Sequence, residues 1–205
     1  MAQQIFPTKA NLLAAKKSLA LARNGYELLD RKRNILIRET MGLMSTANEI
    51  QGMIDSTYAE AYEALKMANI TLGIIDDLSL AVPVEHGVAV DFRSVMGVEI
   101  PIVSMDTPSE NMNYYGYSRT NSMLDEAYVK FDAVKKLTIK LAEIENSVYR
   151  LAQGIKKTQK RANALKNIII PRFEETIKFI SEALEEKDRE EFSRMKVIKS
   201  GQNKA

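Results

Sequence analysis

Side chains able to carry covalent or metal chemistry are sparse in this chain. Its one histidine, His86, stands beside Gly87. An isolated loop histidine supplies neither a metal set nor a base held by a partner. With no cysteine there is no thiolate nucleophile, thiolate metal site or disulfide, which suits a reducing compartment. The nine glycines form no G-x-x-x-x-G-K-[ST] cradle for phosphates. The acid pairs Glu174–Glu175 and Glu185–Glu186 fall in strongly helical stretches, where a solvated, salt-bridged face is their ordinary use. No catalytic, cofactor-binding or metal-binding residue is therefore assigned. What remains is the chemistry of surfaces: charge and apolar area.

The charge is segregated. The net +2 conceals a block at 1–38 with eight Lys/Arg against Glu27 and Asp30, a balance of +6. Residues 39–110 carry twelve acids against Lys66 and Arg93, a balance of −10. Residues 150–172 carry seven bases and no acid. Blocks of this kind meet different partners at different places.

Two long helices must position these blocks. Thr8, after Pro7, is an expected N-cap. From there apolar or small residues recur at alternating steps of three and four: Leu12, Ala15, Leu19, Ala22, Tyr26, Leu29, Arg33, Leu36, Thr40, Leu43, Ala47, Ile50, Ile54, and on through Ala61, Leu65, Ala68 and Leu72. This is a heptad seam, and no proline interrupts it between 8 and 82. A helix of that extent is about 100 Å long. A second seam runs from Val134 through Leu137, Leu141, Ile144, Val148, Leu151, Ile155, Thr158, Ala162, Leu165 and Ile169. One apolar stripe cannot stay in water, so each helix needs a partner, and the nearest is the other one.

The expected fold is all-α: a long antiparallel two-helix coiled coil with a small β-hairpin and loop inserted at one end. The expected divisions are 1–78 for the first helix, 79–120 for the insertion, 121–199 for the second helix, and an unstructured tail at 200–205. The insertion has two β-rich runs, Val88–Phe92 and Val98–Val103, around a turn ending at Gly97, with Pro101 on an exposed edge. Its apolar and aromatic residues Val88, Val90, Phe92, Ile100, Ile102, Tyr114, Tyr115 and Tyr117 read as partner-facing rather than as a purely structural cap.

The stretch NIIIPRFEETIKFI (167–180) breaks the rhythm. Leu165, Ile169, Phe173 and Ile177 follow at steps of four before Ile180 and Leu184 restore it. Such a stutter locally unwinds a left-handed supercoil, and Pro171, which removes one backbone hydrogen bond, sits in it. The helix is expected to bend or straighten there. The alternative, that it ends at Ile170 and a new one begins, fits the continued periodicity less well.

Paired levels on the two helices sum to about 195 if both rise equally, which sets 150–172 beside 23–45. The basic side chains Arg31, Lys32, Arg33, Lys156, Lys157, Lys160, Arg161 and Arg172 then form one positive collar, and the loop end is acidic. Three functional classes remain: a coiled-coil shaft in a larger machine, a helical scaffold at a membrane surface, and a nucleic-acid binder. The basic blocks lack aromatic interleaving, which disfavours the third. A membrane scaffold spreads its bases along one face instead of in a band. No stretch is long and apolar enough for a membrane span, and none has the pattern of a leader.

Two stretches carry a family resemblance. PTKANLLAAKKSLALARNGYELLDRKRNIL (7–36) and KKTQKRANALKNIIIPRFEETIKFISEALEEKDREEFSRMK (156–196) resemble the signature regions of the D subunit of the V-type and A-type rotary ATPases. The matching residues include Pro7-Thr8-Lys9, Gly25, Leu28-Leu29, Lys32-Arg33, Asn163-Ala164-Leu165, Ile170-Pro171-Arg172, Thr176-Ile177 and Ile180. Asp30, Ala162 and Lys166 depart from the usual basic residue, Val and Glu. The resemblance implies a non-catalytic central rotor shaft that transmits torque between ATP hydrolysis or synthesis and proton or sodium transport. It implies as partners the small F subunit, the catalytic A and regulatory B subunits, and the funnel-shaped subunit over the rotor ring. It implies no cofactor and a cytoplasmic place peripheral to the membrane. On that reading the collar faces the catalytic head, Pro171 marks a bend, and Phe173, Ile177, Phe179 and Ile180 turn in an upper bearing.

Overall fold

The computed structural model describes residues 6–73, 75, 78, 80–82, 84, 86–105, 115–116 and 120–202, apart from the side chains of 200–202. Helix α1 runs unbroken over Lys9–Leu72. Strands β1 (Val88–Val95) and β2 (Val98–Met105) follow, then helix α2 (Ser122–Ala164), a five-residue π turn (Leu165–Ile169) and helix α3 (Ile170–Gln202). The chain is thus mostly helical, with one antiparallel hairpin between two long helical segments. Helix α3 holds Ser200, Gly201 and Gln202, where the unstructured tail was expected to begin. Residues 203–205 lie outside the described residues.

Local chemistry sets the helix ends. Thr8 caps α1 as expected, its Oγ1 accepting from Asn11 N–H at 3.2 Å. Gly73, at φ +81°, closes the helix in the left-handed conformation, with its N–H on the Asn69 carbonyl at 3.0 Å. Asn121 caps α2 by accepting from Leu124 N–H at 3.1 Å, and its Nδ2 donates to Thr71 Oγ1 on α1 at 2.6 Å.

The contacts divide into two compact units, 35–155 and 1–34 with 156–205. In the first, α1 beyond Asn34 lies antiparallel to α2 before Lys156. Ile50, Ile54 and Ile144 form one buried cluster with Leu43, Ala47, Leu137, Leu141 and Val148 around it. Leu36, Leu151 and Ile100 form another, with Leu43, Val95, Val98 and Ile155. The hairpin is therefore packed onto the helix pair through Val95, Val98 and Ile100.

Its strands pair in register from Val88 with Met105 to Val95 with Val98, longer than the expected runs. Met96 (φ 51°) and Gly97 (φ 72°) join them. Two consecutive left-handed residues are the pattern of a type I′ turn, whose twist suits a hairpin. Pro101 is buried, not on an exposed edge. It lies against α2, where Ser147 Oγ donates to its carbonyl at 3.4 Å.

In the other unit, α1 up to Asn34 lies antiparallel to the end of α2, the π turn and α3. Arg23 reaches Glu174 at 2.6 Å and Arg33 reaches Gln159 at 2.9 Å. Ala15, Ala22, Ala162 and Ile180 are buried here. At Pro171 the helix neither ends nor restarts: it passes through the π turn, with Ile170 N–H on the Leu165 carbonyl. An α frame would drive the proline ring against the Asn167 carbonyl and leave that oxygen unbonded. The wider turn takes in one extra residue just before the proline.

The seam records that residue. A strict repeat after Ile169 would next bury 172, 176, 179 and 183. Instead Ile180 is buried and Phe173, Ile177 and Leu184 are half-buried, each one position later, while Arg172 and Phe179 are exposed and Thr176 and Ala183 stay half-buried. Every other seam residue named above is buried or half-buried; Ile169, inside the π turn, is 37% exposed.

Gly154 sits where the hairpin turn meets α2. A Cβ there would stand 2.7 Å from Val98 Cγ2, and valine's stiff χ1 limits its retreat. Gly154→Ala gains about 1 kcal/mol of helix propensity but incurs an overpacking cost of about 1–3 kcal/mol. Thermal unfolding followed by circular dichroism should show a lower Tm for Gly154→Ala, recovered by adding Val98→Ala.

Candidate docking surfaces

The basic collar lies within a single unit, 1–34 with 156–205. Arg31, Lys156, Lys157, Lys160, Arg161 and Arg172 are exposed there, and Lys32 is half-buried. Arg31 has one acidic neighbour, Glu27, at 4.0 Å, an exposed pairing of little energetic weight. Arg33 departs from the expectation that it faces a partner. Its position in the seam turns it inward, where it bonds Asp30 at 2.7 Å, Gln159 at 2.9 Å and Asn34 at 3.2 Å. Gln159 extends the network to Asn163 at 2.8 Å. Arg33 thus forms a polar layer between the helices, a device that fixes register.

The four residues expected to form an apolar bearing separate. Ile180 is fully buried in its own helix pair, and Phe173 and Ile177 are half-buried. Only Phe179, 57% exposed, is turned out. The one-residue shift at the π turn is the reason. Exposed apolar area that the seam does not mark also appears in this unit: Leu21, Leu28 and Phe192 are exposed. Their signal in the sequence is a large apolar residue just off the seam.

In the 35–155 unit, Val88, Val90 and Phe92 are exposed on β1, and Ile102 is partly so. Ile100 was expected among them and is instead 1% exposed, since its face of the hairpin covers Leu36 and Leu151. Tyr115 is half-buried, edge-on to Tyr128 with its hydroxyl donating to Asp125 at 2.8 Å. Tyr114 and Tyr117 lie outside the described residues. Leu65, Leu78, Leu124, Tyr128 and Phe131 line a half-open apolar cavity of about 170 Å³.

Nearby, Lys130 bridges Glu126 at 3.0 Å and Glu60 at 3.8 Å. The hydrogen bond to Glu126, against some desolvation, raises its pKa above the ordinary lysine value. Asp132 bonds Lys136 at 2.8 Å and Lys135 at 2.9 Å. Burial pushes its carboxyl up, but the two lysines outweigh this and hold it below its usual value. Among the described residues, no three His, Asp or Glu stand together as a metal site.

Antiparallel helix pairs with an inserted hairpin define the class: a mostly helical protein with one two-stranded antiparallel sheet between its long helical segments. The chain belongs to the ATP synthase D-subunit family, whose model matches residues 11–200. It is 45% identical to the V-type ATP synthase D subunit of Thermotoga neapolitana over 95% of this chain and 97% of that one. It is 37% identical to the A-type ATP synthase D subunit of Pyrococcus furiosus, over 96% and 94%. With that of Methanobrevibacter smithii it shares 38%, over 98% and 90%.

A depressed carboxylate pKa stabilises the fold above the unfolded value and ceases to do so as pH falls through the folded one. Asp132→Asn should therefore unfold at lower denaturant concentration than the parent at pH 7, with the gap closing below pH ~3. Urea titrations at the two pH values test this.

Proposed function

We propose that this chain is the central rotor shaft of a V/A-type ATPase, a non-catalytic subunit that carries torque between the catalytic hexamer and the proton- or sodium-moving ring. Family membership over nearly the whole chain is the observation that carries the reading, since the relatives are named as subunits of V-type and A-type ATP synthases. The helices suit the role. A 64-residue helix with its apolar stripe covered in each unit resists bending better than a solitary one.

In this role the exposed collar, from Arg31 to Arg172, meets the catalytic A and regulatory B subunits, and the chain ends with Phe179 reach into the head. The hairpin and the acidic stretch 39–110 meet the small F subunit and the funnel-shaped subunit over the ring. The protein acts on the cytoplasmic side, peripheral to the membrane. No described helix is long and apolar enough to cross one.

Three identical catalytic sites need an asymmetric shaft to be driven apart in state. The π turn at Pro171 supplies asymmetry by shifting every later side chain relative to those before it. Affinity purification from the native membrane fraction should recover two large nucleotide-binding chains with this one; recovery of the protein alone or with lipid only would favour the membrane-surface scaffold. In the reconstituted complex, Pro171→Ala should lower ion transport per ATP at least twofold. Its Tm should move by less than the ~4–8 °C that 1 kcal/mol produces in a small domain. Unchanged ATPase and pumping would remove Pro171 from the coupling mechanism. Reversing Lys156, Lys157, Lys160 and Arg161 together to Glu should weaken shaft–head association in a salt-dependent way, read by co-sedimentation with the catalytic hexamer.

A further inference from the structure

The two edges of the hairpin are treated differently. On β2, Val103 N–H donates to Glu143 Oε2 at 2.9 Å. The Pro101 carbonyl accepts from Ser147 Oγ and the Glu99 carbonyl from Arg150 Nη1, both at 3.4 Å. These three α2 side chains stand at helical steps of four and three, and so meet alternate residues of the strand. They close that edge. The missing N–H of Pro101 faces α2 and leaves the ladder intact.

The alternation of an antiparallel pair fixes what β1 does. Glu99, Pro101 and Val103 turn their backbone groups away from β1, so their partners Ser94, Phe92 and Val90 turn theirs away from β2. Among the described residues nothing covers this second edge. The sheet has two strands, and the first seven residues of β1 are exposed. The strand is eight residues long, contains no proline and carries two charges, Asp91 and Arg93. Neither has an ion-pair partner among the described residues. An edge that long and apolar is a template for another strand.

We infer that β1 pairs antiparallel with β1 of a second copy of this chain, centred on Phe92. Three observations select that occupant. Centring on Phe92 sets the outward-turned Phe92 against its own copy and Val90 against Ser94 of the partner subunit, so the outward backbone groups of Val90, Phe92 and Ser94 meet their complements. The same register places Asp91 opposite Arg93 of the partner subunit, and Arg93 opposite the partner's Asp91. Centring one residue earlier sets Asp91 against itself, and one later sets Arg93 against itself, so of these three registers charge favours the middle one, which also pairs more of the strand than centring nearer either end. The pair also closes. The four-stranded sheet it forms ends on both sides at a β2 edge already held by Glu143, Ser147 and Arg150. Assembly therefore stops at two copies instead of continuing as a fibre.

On the other face, Phe92 keeps the Arg150 guanidinium 5.1 Å from its ring centroid and offers its free side to the copy. The dimer is a state of the unassembled chain and does not depend on the shaft reading.

The full-length chain, free of other subunits, tests this. It contains no cysteine, so Phe92→Cys introduces one thiol per copy. Facing positions of a hydrogen-bonded pair have Cα atoms about 5.5 Å apart, within disulfide range. Mild oxidation should give a disulfide-linked dimer on a non-reducing gel, and Ser94→Cys, which faces Val90 of the partner subunit, should give far less.

Sedimentation equilibrium of the unmodified chain should show dimer growing with concentration. Asp91→Arg or Arg93→Asp alone should weaken association roughly tenfold, because two facing pairs change sign together. The double exchange Asp91→Arg/Arg93→Asp should restore it. All these positions are exposed, so folding is expected to survive, and helical circular dichroism checks that it does. A monomer at every concentration, equal cross-linking at the two positions, or indifference to charge reversal overturns the inference. So does protection of β1 amides from hydrogen exchange only when another ATPase subunit is added.

Discussion

An α-helix with a single apolar stripe has no stable state alone in water, because its own hydrogen bonds barely offset the entropy of ordering it. Burying the stripe against a second helix supplies the difference. Every other feature of this chain accommodates that pairing. The residues that interrupt the stripe are those able to live between two helices: alanines at Ala15, Ala22, Ala61, Ala68 and Ala162, and hydroxyls at Thr40 and Thr158. Thr40 returns its Oγ1 to the Leu36 carbonyl at 2.8 Å and so brings no unsatisfied group into the seam. Arg33 is the costlier guest. It is admitted with a local set of acceptors on Asp30, Asn34 and Gln159, although its Nε finds none.

The hairpin depends on the same pairing. A two-stranded sheet is marginal by itself, and this one borrows stability from the helices through the Ile100 cluster and the three α2 side chains along β2. Gly154 allows that approach by removing the one Cβ in its way. The left-handed Met96 is tolerated because the turn is anchored on both sides by Val95 and Val98. The hairpin is thus one element with two surfaces, one committed to its own chain and the other left for a second strand.

Much of this was legible in the sequence, because period and capping are local. The Thr8 cap, the start of the second helix at 121, the seam from Leu12 to Leu72 and that from Val134 onward follow from local pattern, as does the presence of two β-rich runs; the Asn121 cap does not appear in that reading. The stutter after Ile169 was legible too; what the spacing could not give was the direction of a side chain where both faces of a strand are apolar. Ile100 and Ile102 are indistinguishable as letters; only the docking of the hairpin sends one inward. Phe173, Ile177 and Ile180 were expected with Phe179 in one bearing although their places in the shifted seam send them inward, and Arg33 was read from its charge although its seam position decided its orientation. The collar lysines were easier, since charge on the outer face of a helix has nowhere else to go.

The π turn also has a meaning in the chain's arithmetic. A helix that holds one residue more than its repeat has absorbed an insertion without surrendering the frame on either side. Upstream and downstream of Ile169 the same heptad rule holds, counted from two different origins. The helix can therefore be thought of as two rulers joined with an offset, the proline preventing them from sliding back into one scale. A side chain's address on this protein is set by its distance from that joint as much as by its place in the heptad.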